Sequence, residues 1–426
     1  MKRVVLIFAG IMAGISANAQ LTLDDCHKMA RANYPEIKQY DLIRQTKDFT
    51  IENIRKAYLP QVLVSAQATL QSAVPTYPDA LKTMMTAQGM SMTGMNKDQY
   101  KVQVEASQLI WDGGKSAASA KIAQTNATAQ TLSADVDLYS VESRINDLFF
   151  GILLLNGQTS QLGQTVELLK SNLDKVNSLI KNGAAMQSDA DAVEAELLTM
   201  KQKKIQLESS EVTYRQILSL FIGKDVSSES LAIPQYCEPS SFESFRPELA
   251  MFNARMENLS AQKKSVQAST LPNFGLFAQG YYGYPGMDYF KSMVNSNWSI
   301  NGIFGIRMQW NVSAFYTKKN TMNQIDAERQ MIQVQKDVFL FNNSLQSTQE
   351  NQSISSLRKV LAEDEKIVEL RKRVREAAES KLRNGTIDSS DLLEKITAEN
   401  NAAIEKSSRE IELLKAAYEL KHTVNQ

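Results

Sequence analysis

Asp391 and Glu394 stand three residues apart, so on a helix they share one face. They follow a glycine-containing turn, and acids are favoured near a helix N-terminus. Other side chains in the 426-residue chain have reactive types but lack the company that chemistry needs. Gly113-Gly114-Lys115-Ser116 resembles the end of a phosphate-binding loop, yet Leu109 stands where that motif needs its first glycine. Met84, Met85, Met90, Met92 and Met95 crowd one segment. Thioethers suit Cu(I), although such a run is more often adaptable apolar surface. His27 and His422, the two histidines, have no partner motif, and nothing is spaced as a catalytic triad or metal cluster. The expectation is a protein that is not an enzyme and needs no cofactor.

The two acids belong to a pattern stated twice. Lys181-Asn182-Gly183 precedes Ser188-Asp189 as Arg383-Asn384-Gly385 precedes Ser390-Asp391. Leu59-Pro60 returns as Leu271-Pro272, and Tyr34-Pro35-Glu36 as Arg246-Pro247-Glu248, both 212 residues on. Each tip glycine reads as a helix stop, with Ser188 and Ser390, or the aspartates beside them, as caps for the returning helices. The copies differ where the chemistry is: Ala192 takes the place of Glu394, so the first tip lacks the second acid.

Positioning those tips requires long helices. Residues 115–181 and 318–383 keep a helical period throughout, about 100 Å each as single helices. Val360, Ile367 and Val374 recur every seven residues, and Val193, Leu197, Met200, Leu207, Tyr214 and Leu218 follow spacings compatible with a narrow packing stripe. Residues 23–56 and 188–222 read as shorter helices, each about half as long. Between helices the period changes to two. Val62, Val64, Ala66, Ala68 and Leu70 alternate with Leu63, Ser65, Gln67, Thr69 and Gln71; Tyr100, Val102, Val104 and Ala106 alternate with Lys101, Gln103, Glu105 and Ser107; Phe274, Leu276, Ala278, Gly280 and Tyr282 face away from Asn273, Gln279 and Tyr281; and Phe304, Ile306, Met308 and Trp310 face away from Arg307, Gln309 and Asn311. Four strands of about ten residues with one apolar face match transmembrane β-strands, and Tyr100, Tyr281, Tyr282, Trp298 and Trp310 are placed for aromatic girdles. Four strands cannot close a barrel and an open edge cannot lie in lipid, so other copies must complete the sheet; two copies would give eight strands and three would give twelve.

Lys2-Arg3, an apolar run from Val4 and Ala17-Asn18-Ala19 read as a signal peptide over 1–19 that carries the mature chain out of the cytoplasm. The net charge of zero offers no basic excess for nucleic acid. Cys26 and Cys237 fall at nearly equivalent points of the two repeats, and the sequence leaves their pairing open. The chain divides into the leader, a first repeat over 20–222, a connector over 223–245 carrying Pro234 and Pro239, and a second repeat over 246–426.

From Leu21 onward the chain resembles the TolC-like outer-membrane factor family. The resemblance rests on Leu21-Thr22-Leu23-Asp24-Asp25, Asn33-Tyr34-Pro35-Glu36-Ile37, the two Leu-Pro pairs, Leu109-Ile110-Trp111-Asp112-Gly113-Gly114 and the two tips, in that order and spacing. It implies a mainly α chain with a transmembrane β portion, completed as a homotrimer with a 12-stranded β-barrel in outer-membrane lipid and an α-helical periplasmic tunnel. It further implies an exit duct without enzymatic activity, working with a periplasmic adaptor protein and an inner-membrane transporter in drug efflux, metal efflux or type I protein secretion. Asn182, Gly183 and Ala184 with Asn384, Gly385 and Thr386 then match the adaptor-contact tips, and Asp391 with Glu394 the acidic ring at the tunnel entrance. Ile387 stands where some members carry a latch arginine, which removes that charge here. The alternative from a different class is a periplasmic coiled-coil structural or adhesive protein with no pore.

Overall fold

The computed structural model describes residues 20–89, 94–183, 185–384 and 386–426. The expected leader over 1–19, Met90, Met92, Ala184 and Gly385 lie outside the described residues. The chain forms two compact units. One takes the chain up to Lys38 with Ala134–Leu249 and Asp337–Gln426; the other takes Gln39–Ser133 and Ala250–Lys336. Each unit draws on both repeats, and their boundaries fall within helices.

The second unit contains an antiparallel sheet in the order β1 (Gln61–Leu70), β2 (Asp98–Trp111), β3 (Asn273–Tyr284) and β4 (Ser299–Gln309). Its register aligns the alternation of all four strands. Val62, Ala106, Ala278 and Phe304 form one row across the sheet, and Ala66, Val102, Tyr282 and Ile300 another. The interleaved rows are polar: Gln67, Lys101, Gly283 and Ser299, then Ser65, Gln103, Tyr281 and Asn301. Residues of one parity share a face because side chains alternate along a strand. The apolar face is bare, with Ile300 87% and Phe304 88% exposed. A water-soluble sheet buries such a face, whereas a lipid-facing strand leaves it open.

Aromatic side chains mark both ends of that face. Trp298 stacks on Tyr100 and packs tilted against Tyr282 at one end, and Trp111 packs against Phe274 at the other. From Phe274 to Tyr282 is eight residues, about 27 Å along the strand. At the usual tilt this projects to about 20 Å, a little under the roughly 25 Å apolar band of an outer-membrane barrel. Tyr281 was expected in the girdle but has the opposite parity and shares the polar face with Lys101. The loops beyond the sheet contain two short helices without a sequence signal of their own, α3 (Asp79–Thr86) and α7 (Tyr289–Val294).

Helices leave the opposite end of the sheet. Asp112 accepts bonds from the Gly114 and Ser116 amides at 2.9 and 2.6 Å and so caps α4 (Lys115–Lys181). Gly113 adopts φ +70°, and a Cβ there would lie 2.6 Å from Leu271 Cβ. The glycine-rich segment is therefore a strand-to-helix corner packed on the second Leu-Pro pair.

In the first unit, α1 (Leu23–Asn33) is capped by Thr22, whose hydroxyl accepts from the Asp25 amide. The expected single helix over 23–56 is broken. Tyr34 is extended, a 3-10 turn covers Pro35–Ile37, and α2 (Lys38–Lys56) follows. Proline disfavours helical geometry in the residue before it, so the break falls at Tyr34. Asn33 uses the interruption: its side-chain amide donates to the carbonyls of Leu220 and Phe221 at the end of α5 (Gln187–Ile222). Leu23, Cys26 and Ala30 of α1 join Ile145, Phe149, Phe150 and Ile152 of α4 and Leu218 and Ile222 of α5 in one core. Cys26 is buried in that core and Cys237 is exposed; both thiols are free.

After α6 (Pro247–Ala268), the second repeat supplies α8 (Ala314–Arg383) and α9 (Ser389–Val424). The long helix begins before the expected residue 318 because only four residues separate the end of β4 at Gln309 from Ala314. The connector is anchored by Arg215 of α5, whose guanidinium donates to the Val226 and Glu229 carbonyls at 2.9 and 2.8 Å and pairs with Glu211.

Candidate functional site: the helical tips

The tips are made by two helical hairpins, α4 with α5 and α8 with α9. Their apolar stripes meet in one layer in the first unit. Leu162, Val166 and Leu169 of α4, Leu197 and Met200 of α5, Ala378 of α8, and Leu392 and Ile396 of α9 form this cluster. Nearer the first tip, Val176 packs with Ala190 and Val193, and Ile180 and Ala185 cover them. Burying these apolar surfaces aligns helices whose own ends carry the polar candidates.

At the first tip, the Gly183 amide donates to the Ile180 carbonyl and Gly183 takes φ +70°. The returning helix begins at Gln187, one residue before the expected Ser188. Its cap is the carboxylate of Asp189, which reaches back to accept from the Met186 amide at 2.8 Å. Asp191 accepts from the Gln187 side chain at 3.0 Å. At the second tip, Asn384 closes onto Ser380 and Lys381, while the amide and hydroxyl of Thr386 both donate to the Lys381 carbonyl. Asp388 caps α9 by accepting from the Asp391 amide at 2.8 Å. Neither serine expected as a cap performs that role; Ser389, Leu392 and Ile396 form the buried face. Asn182, Gly183, Asn384 and Thr386 are exposed around the two turns.

Asp391 and Glu394 point away from the buried face of α9 and are both exposed. Asp391 has no ion-pair partner among the described residues, and its carboxylate is free of capping because Asp388 does that work. Glu394 bonds the Lys395 ammonium at 2.8 Å. That bond lowers the glutamate below its ordinary carboxylate range, and the lysine offsets its charge. The two candidate acids are thus brought to one face but are electrostatically unequal.

Two features near the tip lacked a sequence signal. Arg375 of α8 is 13% exposed, pairs with Glu399 of α9 and bonds Glu379 at 2.8 Å. Its guanidinium ties the two helices of the second hairpin together, and these carboxylates hold its pKa above the usual arginine value against desolvation. The i,i+4 pair Arg375–Glu379 was readable in the sequence, but the 24-residue reach to Glu399 was not. Asn172 of α4 is 3% exposed, and both polar atoms of its amide lack a described partner. Ile387, in the place of a latch arginine, packs against the tip cluster instead.

No protein-family model matches the sequence, and no curated protein does. Solved structures do match. The outer membrane protein VceC from Vibrio cholerae is 14% identical, with 94% of this chain and 95% of that chain covered at a TM-score of 0.69. The CmeC outer membrane channel of Campylobacter jejuni is 15% identical, covers 94% and 85%, and gives 0.66. The MtrE outer membrane channel of Neisseria gonorrhoeae, in its open state, is 14% identical, covers 94% and 88%, and gives 0.66. With a four-stranded sheet and paired long helices aligned over nearly its whole length, this chain has the fold of the TolC-like outer-membrane channels.

Proposed function

We propose that this protein is the outer-membrane exit duct of a tripartite efflux or type I secretion system. Three copies join β1 of one to β4 of the next, closing a 12-stranded barrel in the outer membrane of a Gram-negative bacterium. The observation that carries this reading is the bare apolar face in register across four strands, bounded by aromatic clusters and ending in two unpaired edges. A pore-free periplasmic coiled coil gives that face no partner. The helices continue the duct on the periplasmic side, where Asn182, Gly183 and Ala184 with Asn384, Gly385 and Thr386 meet a periplasmic adaptor linked to an inner-membrane transporter. Passage is passive: the duct opens when the hairpins move apart at the tips.

Asp391 and Glu394 line the entrance. A trimer gathers six carboxylates at its mouth, attracting cations and repelling anions. The free Asp391 carboxylate contributes the stronger charge, because Lys395 offsets Glu394. Reversal potentials in planar bilayers under a salt gradient test both levels of this reading. Wild-type protein is expected to form cation-preferring channels, with the preference reduced in Asp391→Ala/Glu394→Ala. Channels with unchanged preference in that variant would overturn the ring. Pure protein that reaches bilayers without forming channels, and that fractionates as a monomer, would overturn the duct.

A further inference from the structure

The end of the sheet away from the long helices contains a cavity of about 310 Å³ on the polar face. Gln67 and Thr69 of β1, Gln99 and Lys101 of β2, Tyr281 of β3 and Tyr289 of α7 contribute to its wall. This volume is at the lower end of the range for small-molecule pockets, roughly 300–1,000 Å³. Amides, a hydroxyl, aromatic rings and one cation converge in its lining.

The cation is uncompensated. Glu105 lies on the same face, but its carboxylate is engaged by Arg307 at 3.2 Å, and Arg307 also sits over the Phe277 ring. Lys101 has no carboxylate partner among the described residues; its ammonium lies 5.8 Å from the Tyr281 ring centroid. Tyr281 is held by its hydroxyl, which donates to the Pro285 carbonyl, and Gln71 donates to Gln99 at 3.0 Å. Tyr281 is therefore a fixed wall, with the Lys101 ammonium beside its ring and amides facing both. Side-chain amides match pairs of hydroxyl groups, aromatic faces match the C–H face of a sugar ring, and an unpaired ammonium selects a carboxylate.

We infer that this cavity is a binding site for an acidic saccharide, with Lys101 bonding a uronate carboxylate, Gln67 and Gln99 its hydroxyls, and Tyr281 and Tyr289 its ring. The placement of the site at the outward mouth rests on the duct reading; its ligand chemistry does not. Three copies would set three such sites around the mouth of a trimer.

Titration of detergent-purified full-length protein with trigalacturonate, followed by saturation-transfer NMR and calorimetry, tests the site without requiring a conducting pore. Saturable binding is expected, with neutral maltotriose bound about tenfold more weakly, the scale of one charge-assisted hydrogen bond. Lys101→Gln should abolish that preference, and Tyr281→Leu should weaken both sugars. Gln67→Leu should weaken both while leaving the preference intact, which separates hydroxyl contacts from charge. Absence of saturable trigalacturonate binding, or an unchanged acidic preference in Lys101→Gln, would overturn the inference. Binding by protein that forms no channels would retain the site and remove the duct, and conducting protein that binds no trigalacturonate would do the reverse.

Discussion

Replacing Asn172 with leucine should make the first tip hairpin more stable. Asn172 lies between Leu169 and Val176 on one face of α4, at spacings of three and four. Leu169 packs with Leu197 and Met200 of α5, and Val176 packs with Ala190 and Val193 of the same helix. The asparagine therefore interrupts an apolar seam between α4 and α5, and both of its polar atoms are buried without a described partner. Leaving a buried polar group unsatisfied costs about 1–3 kcal/mol. Leucine has a similar branched shape and removes that cost, so the paired state gains about the same amount, or about 5–150-fold in the equilibrium between closed and separated helices. Hydrogen–deuterium exchange should slow by that factor in residues 165–181 and 187–200. Asn172→Ala provides the control, since it removes the amide but leaves a cavity, and should gain less. Exchange that is unchanged or faster in Asn172→Leu would refute the reasoning.

Other consequences follow from individual side chains. Lys395→Ala should increase cation preference in reversal-potential measurements, because it frees the Glu394 carboxylate; an unchanged preference would mean that Glu394 does not face the pathway. A maleimide should label Cys237 in the native protein and leave Cys26 unmodified until denaturant is added, since burial pushes the Cys26 thiol up to about 12; mass spectrometry of Cys237→Ser before and after unfolding checks this. Burial lowers the His422 pKa, with its ring stacked on Tyr139 and Arg246 close to the same tyrosine. The unfolded chain then takes up the proton first, so this histidine's contribution to stability is lost as pH falls through its ordinary value near 6.5. Denaturant midpoints at pH 7.5 and 5.5 should converge in His422→Gln relative to wild type.

Long-period features were readable because they repeat. α4 runs over the residues its sequence pattern marked, and the inward and outward rows of all four strands match the alternation. Local motifs were readable as positions but not always as physics. Asn33-Tyr34-Pro35 could be recognised as a recurrent signature, yet its purpose appears only when Asn33 reaches the last carbonyls of α5, 187 and 188 residues away in sequence. Gly113-Gly114-Lys115-Ser116 resembles the end of a phosphate loop, whereas the Gly114 and Ser116 amides donate to Asp112, which caps α4. Arg375 to Glu399 and Arg215 to the connector were hidden for the same reason: a salt bridge or carbonyl anchor across helices leaves no period in the chain. The short helices α3 and α7 span too few residues for a period to declare itself.

The two tips show how a shared pattern of turn and cap positions obtains different electrostatics. Both have an aspartate six residues after the tip glycine, Asp189 and Asp391. In the first tip no acid stands at the N-cap, where Met186 is found, so Asp189 bends back and spends its carboxylate on the Met186 amide. In the second tip Asp388 occupies the N-cap and accepts the Asp391 amide, so the later aspartate keeps its carboxylate for solvent. Whether an acid in the first turn acts as a cap or remains a free charge is thus decided three residues earlier, by Met186 in one copy and Asp388 in the other. The substitution that distinguishes the copies electrostatically includes this cap as well as the exchange of Ala192 for Glu394. A duplicated hairpin can keep the same aspartate position at both tips and still leave that carboxylate uncapped at only one of them.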